Sequence, residues 1–318
     1  MQRTNTPFFV SLKLSLMVLG LVLGAPVHGY AQTTQPIPRT TTEILVEVVK
    51  PIDPFEPAVI IHFREEMRNF VTNLSSFAHR VNPNFIMIAQ DGLALVNKID
   101  LNDETQRYPA NAYMRSLDGI LETNLLDEKV MAPNGKPDPA LVAQLEYRNN
   151  NLKTVASMRI PVFNMEYSTE AGYVDKIYAD SAQKGFIPFV AEAPNLSSIP
   201  KFPSSIYKAN PVNVMSIADV KNYLYLNNSQ AFGQVYEYIL KLRETNYDAL
   251  IVDIFHGQKP MSKANVKLLK YKRLGSRRLV LAEIDISSAS VFQYFWKSGW
   301  RAGNPPFIYA PYKADPDR

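Results

Sequence analysis

The strongest constraint on the fold of this chain is an alternation: eight short β-rich runs separated by segments of helical periodicity. The runs cover residues 44–49, 85–89, 117–121, 160–165, 186–190, 223–226, 249–254 and 279–286. Most are continuously apolar, the pattern of parallel strands covered on both faces. Between them, Phe63, Met67, Phe70, Val71, Leu74, Phe77, Ala78 and Val81 form one apolar stripe at helical spacing. Val174, Ile177 and Ala182 form a weaker stripe that stops at Gly185, and Ser262 is placed to cap a helix through Val266 and Leu269. Strand and helix alternating in this way predict a (β/α)8 TIM barrel or a doubly wound sheet, and eight units favour the barrel. The barrel is expected to be a single domain over residues 43–318.

The first thirty-odd residues read as an export signal. Arg3 and Lys13 precede an apolar stretch over 14–27, and the small residues Gly29 and Ala31 flank Tyr30. A charged start, a short apolar core and a small-x-small site make a signal peptide over 1–31, too short to cross a bilayer comfortably. Residues 32–42, rich in Thr, Gln and Pro, form a flexible leader. The mature chain is therefore expected to be secreted or periplasmic, with no membrane span after signal cleavage.

Several chemistries are excluded by what the chain lacks. With no cysteine, there is no disulfide framework, thiolate metal site or cysteine nucleophile. The four histidines form no i, i+4 pair, so no metal site is expected. No Gly-x-Gly-x-x-Gly follows the first strand and no phosphate loop exists, so no nucleotide cofactor, and no cofactor of any kind, is expected. A net charge of +4 over 318 residues suits acidic polymers without requiring nucleic acid, which is not expected as a partner.

Barrel enzymes build their sites at the C-terminal ends of the strands, and acids stand there in number. Glu47 lies in the first run, Gln90 and Asp91 close the second, and Glu122 ends the third. Glu166 and Tyr167 follow in the fourth, Glu192 in the fifth, Asn227 in the sixth and Asp253 in the seventh. On the eighth, Glu283 and Asp285 share one face of the strand. Any one of these could be a helix cap or an ion-pair partner. Acids at nearly every junction instead suit glycoside hydrolysis, in which one carboxyl protonates the leaving oxygen and another attacks or activates water.

Particular stretches carry a resemblance. They are Tyr247-Asp248-Ala249-Leu250-Ile251-Val252-Asp253, Gly185-Phe186-Ile187-Pro188-Phe189-Val190-Ala191, Ala89-Gln90-Asp91-Gly92, Asp118-Gly119-Ile120 with Glu122, and Tyr294-Phe295-Trp296-Lys297 with Gly303-Asn304-Pro305-Pro306. Together they resemble secreted TIM-barrel glycoside hydrolases of the endo-α-1,4-polygalactosaminidase type, once described as cysteinyl-tRNA synthetase-related. In that family the strand resembling Tyr223–Leu226 comes first, whereas here it is sixth. The resemblance therefore implies a circular permutation, tolerated where the break falls in a surface connection.

The resemblance implies catalytic roles for Asp253 and Glu122, with Glu47 as partner; Asp285, which stands where the family has serine, is the alternative partner from its place on the eighth run. Gln90, Asp91, Glu166 and Tyr167 at the strand ends are expected to bind substrate, and Trp296 and Trp300 are candidates to stack on sugar rings, since an aromatic face suits apolar C–H surfaces. One departure bears on activity: the family's third strand ends Gly-Glu-Ala-Glu, and here Ser287-Ser288-Ala289-Ser290 stands in its place. Glu283 and Asp285 lie two to four residues earlier, a displacement of about 7–13 Å at about 3.3 Å per residue, which argues against direct replacement. Three readings follow: a glycosidase acting on an exopolysaccharide, a catalytically silent polysaccharide-binding barrel, or an interaction protein presenting the basic stretch from Lys263 to Arg278. The polysaccharide is the expected partner in the first two.

Overall fold

The computed structural model describes residues 15–18, 62–100, 103, 106–127, 131, 136–257, 259–286, 295–306 and 308. Its centre is an eight-stranded sheet built from β1 (Ser15–Val18), β2 (Met87–Gln90), β3 (Gly119–Thr123), β4 (Val162–Tyr167), β5 (Ile187–Ala191), β6 (Tyr223–Leu226), β7 (Ala249–Val252) and β8 (Leu279–Asp285). Six α-helices lie among the described residues: α1 (Phe63–Val81), α2 (Asn111–Arg115), α3 (Pro139–Ser157), α4 (Ala171–Gln183), α5 (Val235–Arg243) and α6 (Lys263–Leu269). The chain is thus a mixed α/β protein.

The strands pair in the order β5-β4-β3-β2-β1-β8-β7-β6. Strands adjacent in sequence are adjacent in the sheet except β5 and β6, which end the order, and β1 lies beside β8. All pairs are parallel except those of β1, which runs antiparallel to both β2 and β8. The run 44–49, expected as the first strand, lies outside the described residues. The place between β2 and β8 is taken instead by Ser15–Val18, from within the stretch read as an export signal.

The sheet is strongly curled. Tyr225 on β6 donates to Gln90 Oε1 on β2 at 2.9 Å, although four steps of the pairing order separate the two strands. The Tyr223 ring meets Phe163 of β4 at 5.2 Å and Phe189 of β5 at 5.3 Å between centroids. A flat sheet would hold these strands tens of ångströms apart at about 4.8 Å per strand. The terminal strands β5 and β6 approach within 8 Å between Cα atoms.

These contacts define the two faces. Gln90, Leu121, Phe163, Met165, Phe189, Tyr223 and Tyr225 point inward. The alternate residues Met87, Ala89, Ile120 and Val162 pack outward with Val71, Tyr113, Met114 and Val155 of the helices. Val190 likewise meets Val174, Ile177 and Tyr178 of α4. Both faces are buried, which explains why the strand runs are apolar without a break.

The helices follow their local signals. Ser262 caps α6 by accepting from Asn265 N at 3.1 Å, and Gly185 ends α4 at φ 76°, a left-handed conformation that glycine adopts without strain. Asp138 caps α3 through Ala140 N at 2.8 Å, with Pro139 in the first turn. The stripe read on α1 divides in two. Val71 and Ala78 are buried with Arg68 and Ser75, whereas Phe63, Phe70, Phe77 and Val81 are exposed. The residues that α1 turns toward the sheet are therefore mostly small or polar. Arg68 earns its burial by donating to the carbonyls of Leu95 at 2.7 Å and Asn97 at 2.6 Å.

The basic stretch is only partly a solvated face. Lys272 is buried against Asp248 Oδ1 at 2.6 Å and also donates to Asn210 O, while Lys221 N donates to Asp248 Oδ2 at 2.8 Å. Arg278 is buried too and donates to the carbonyls of Leu242, Thr245, Leu269 and Tyr271. Both cations fasten the N-terminal ends of β7 and β8. Among the described residues, no helix is long and apolar enough to cross a membrane.

Candidate active site

The C-terminal ends of β6, β7 and β8 gather the acids. Leu226 pairs with Val252, and Val252 with Ala282. One residue further on, Asn227, Asp253 and Glu283 therefore fall in a single row, and the bond from Asp253 N to Leu226 O at 3.3 Å carries the ladder to that level. These residues share the inward face with Tyr225, Ile251 and Leu281, two positions earlier on each strand. Asp285 lies one further inward position along β8.

The row has a marked electrostatic character. Burial raises the Glu283 carboxyl to about 7, and the charges of Asp253 and Asp285 push the same way, against hydrogen bonds with Tyr225 and Asn227. Its Oε2 is buried without a hydrogen-bond partner. Burial also raises Asp253, whose Oδ1 accepts from Phe255 N at 2.7 Å in a tight turn. Tyr225 is held neutral by burial, reinforced by Glu283, and links this row across the interior to Gln90.

Two expected residues face elsewhere. Glu122 and Glu166 alternate with the inward residues Leu121, Met165 and Tyr167, and so turn toward the helices. Glu122 accepts from Leu93 N at 2.7 Å and Glu166 from Leu126 N at 2.9 Å. Asn164, on the same face as both, donates to Ser181 of α4 at 3.1 Å. Burial, helped by Asp91, raises Glu122 to about 8, and burial raises Glu166. Their carboxylates anchor the loops after β2 and β3 rather than joining Asp253. An acid at a strand end is visible in sequence, but its face depends on strand parity, which unbroken apolar runs conceal.

The other expected residues are placed as follows. Gln90 reaches the interior and bonds Tyr225. Asp91 follows it in a left-handed conformation, φ 55°. Tyr167 faces inward and is raised by burial, then by Asp91 and Glu166. Glu192 holds its own loop through Ser198 Oγ at 2.6 Å and Lys201 N at 3.1 Å. Trp296 and Trp300 pack edge to face on one another at 5.5 Å. Glu47 lies outside the described residues, as do Ser287, Ser288, Ala289 and Ser290. Tyr225 and the pairing of Glu283 with Asp253 escaped the sequence reading. The signal for Glu283 was its shared parity with Asp285, but depth was judged against serines further along the strand, not against the partner strand.

Chemically, the row brings a carboxyl poised near neutrality beside a second carboxylate in a desolvated interior, the combination general acid–base catalysis requires. Among the described residues no group of three metal-ligating side chains converges. No protein-family model, curated protein or solved structure matches this chain.

Proposed function

We propose that this protein is an exported glycoside hydrolase-like (β/α)8 barrel, circularly permuted, that acts on an exopolysaccharide by carboxylate acid–base chemistry. The observation that carries this reading is the inward cluster of acids at the C-terminal ends of β7 and β8. The cyclic pairing order and the bond between Tyr225 and Gln90 support the barrel. The composition of the run 44–49, Ile-Leu-Val-Glu-Val-Val, suits a doubly covered parallel strand.

The test is incubation of the purified mature protein with galactosaminogalactan-type and other exopolysaccharides, following released reducing ends and retained binding together. Cleavage that Asp253→Asn lowers by a hundredfold or more, on the scale of about 10²–10⁴ for acid–base catalysis, supports the hydrolase. Retention without cleavage selects a silent polysaccharide-binding barrel, the reading that Ser287-Ser288-Ala289-Ser290 favours. Neither outcome leaves the interaction protein as the remaining reading.

A further inference from the structure

At this end of the sheet, Glu283 differs from Glu122, Glu166, Glu192 and Asp253 in how its oxygens are held. Glu122, Glu166, Glu192 and Asp253 each accept a backbone N–H from a nearby loop. That bond fixes a carboxylate and gives it a structural task. Glu283 accepts no such bond, and its Oε2 is buried with no partner. A buried oxygen without a partner is destabilising, and this one serves no structural purpose that would offset it.

Its surroundings suit a carboxylic acid better than a carboxylate. Asp253 stands beside it on β7, about 4.8 Å away across the ladder, and Asp285 lies on the same face of β8. Tyr225 of β6 has one hydroxyl proton, and it is directed at Gln90 Oε1 at 2.9 Å. With that proton committed, Tyr225 Oη is open to accept from a protonated Glu283, so that a chain runs from Glu283 through Tyr225 to Gln90. Asn227 completes the row, and the Tyr238 hydroxyl of α5 lies within the field of both Asp253 and Glu283. The charges acting on Glu283 are thus carboxylates, and the hydrogen-bonding groups are neutral. Burial and the two carboxylates favour retention of its proton and outweigh the hydrogen bonding with Tyr225 and Asn227, in keeping with a carboxyl raised to about 7.

We propose that Glu283 is the proton donor of the site and Asp253 its ionised partner, an assignment that rests on the hydrolase reading above. In the step, the Glu283 proton passes to the glycosidic oxygen as the bond from that oxygen to the anomeric carbon breaks. The bonding electron pair leaves with the oxygen. A water that Asp253 deprotonates bonds to the anomeric carbon through its oxygen, its second proton stays on the new anomeric hydroxyl, and the proton taken by Asp253 returns to Glu283 through solvent. The site therefore uses a glutamate set deeper along β8 than the serine stretch, paired at its own level by the neighbouring strand.

The experiment compares wild type with Glu283→Gln on galactosaminogalactan and on dinitrophenyl α-galactosaminide, whose leaving group needs no proton. Glu283→Gln is expected to slow polymer cleavage by about 10²–10⁴-fold and cleavage of the dinitrophenyl glycoside by less than tenfold. Wild type is expected to lose kcat/KM above pH 7, and that fall should disappear in the variant. Equal loss on both substrates, or polymer cleavage at the wild-type rate with an unchanged pH profile, overturns the donor assignment while leaving the hydrolase standing. Wild type that cleaves neither substrate overturns the hydrolase reading and the assignment with it. Carboxyl-carbon NMR of wild type adds a check independent of turnover: Glu283 should titrate near neutrality, and titration near 4.5 overturns the proposal.

Discussion

At the scale of single residues, the two ends of the strands treat buried charge in opposite ways. At the N-terminal end, Asp248 and Lys272 are both fully buried and fully partnered. Lys272→Met should lower stability by about 3–5 kcal/mol, because it leaves Asp248 as an uncompensated buried charge. Adding Asp248→Asn should recover part of that loss in urea denaturation, and strictly additive losses would contradict the pairing. At the C-terminal end, burial raises Glu122 to about 8 and Glu283 to about 7 from an ordinary value of 4.5. The folded state therefore keeps protons that the unfolded chain releases, so stability is full below about pH 4.5 and falls as pH rises toward 7–8. At about 1.4 kcal/mol per pH unit, the two rises together bound the loss at about 8 kcal/mol. Glu122→Gln, which retains an acceptor for Leu93 N, should flatten the upper part of that curve. A stability that climbs from pH 5 to 8 in both proteins would refute it.

At the scale of elements, short-range signals were reliable where they concern termini and weak where they concern faces. Ser262 and Gly185 mark the start of α6 and the end of α4 because a cap is satisfied within a few residues. Asp138 caps α3 by the same rule, and Asp138→Ala should cost about 1 kcal/mol in thermal unfolding. No measurable change would show that Pro139 suffices to start the helix. The face of α1 was not legible in the same way. Its aromatic residues Phe63, Phe70 and Phe77 recur at helical spacing, yet Val71, Ser75 and Ala78 lie on the buried side. Periodicity reports that an apolar stripe exists but not which edge of it meets the sheet. The same limit hid the outward parity of Glu122 and Glu166.

At the scale of the whole molecule, the curl of the sheet makes the interior. Tyr225 and Gln90 lie 135 residues apart in the chain and meet inside it. Tyr225→Phe should cost about 1–3 kcal/mol in urea unfolding, because Gln90 Oε1 is left buried without its donor. An unchanged midpoint would mean that the curl does not depend on this link. Phe163, Phe189 and Tyr223 tie the two ends of the pairing order together, and Phe163→Ala should cost about 3–5 kcal/mol in the same assay. A smaller loss would place the joining of β4, β5 and β6 on backbone approach alone.

The sequence by itself determined seven of the eight strands of the described sheet and the helices α1, α4 and α6, because apolar runs, caps and glycines act over a handful of residues. It also placed an acid or amide at most strand ends, since those identities are read directly. Only the tertiary structure decided which of them share an interior, because that depends on strand parity, ladder register and curl, none of which a run of valines and leucines encodes. Register set Glu283 level with Asp253. Parity sent Glu122 and Glu166 to the helices, where loop N–H groups hold them.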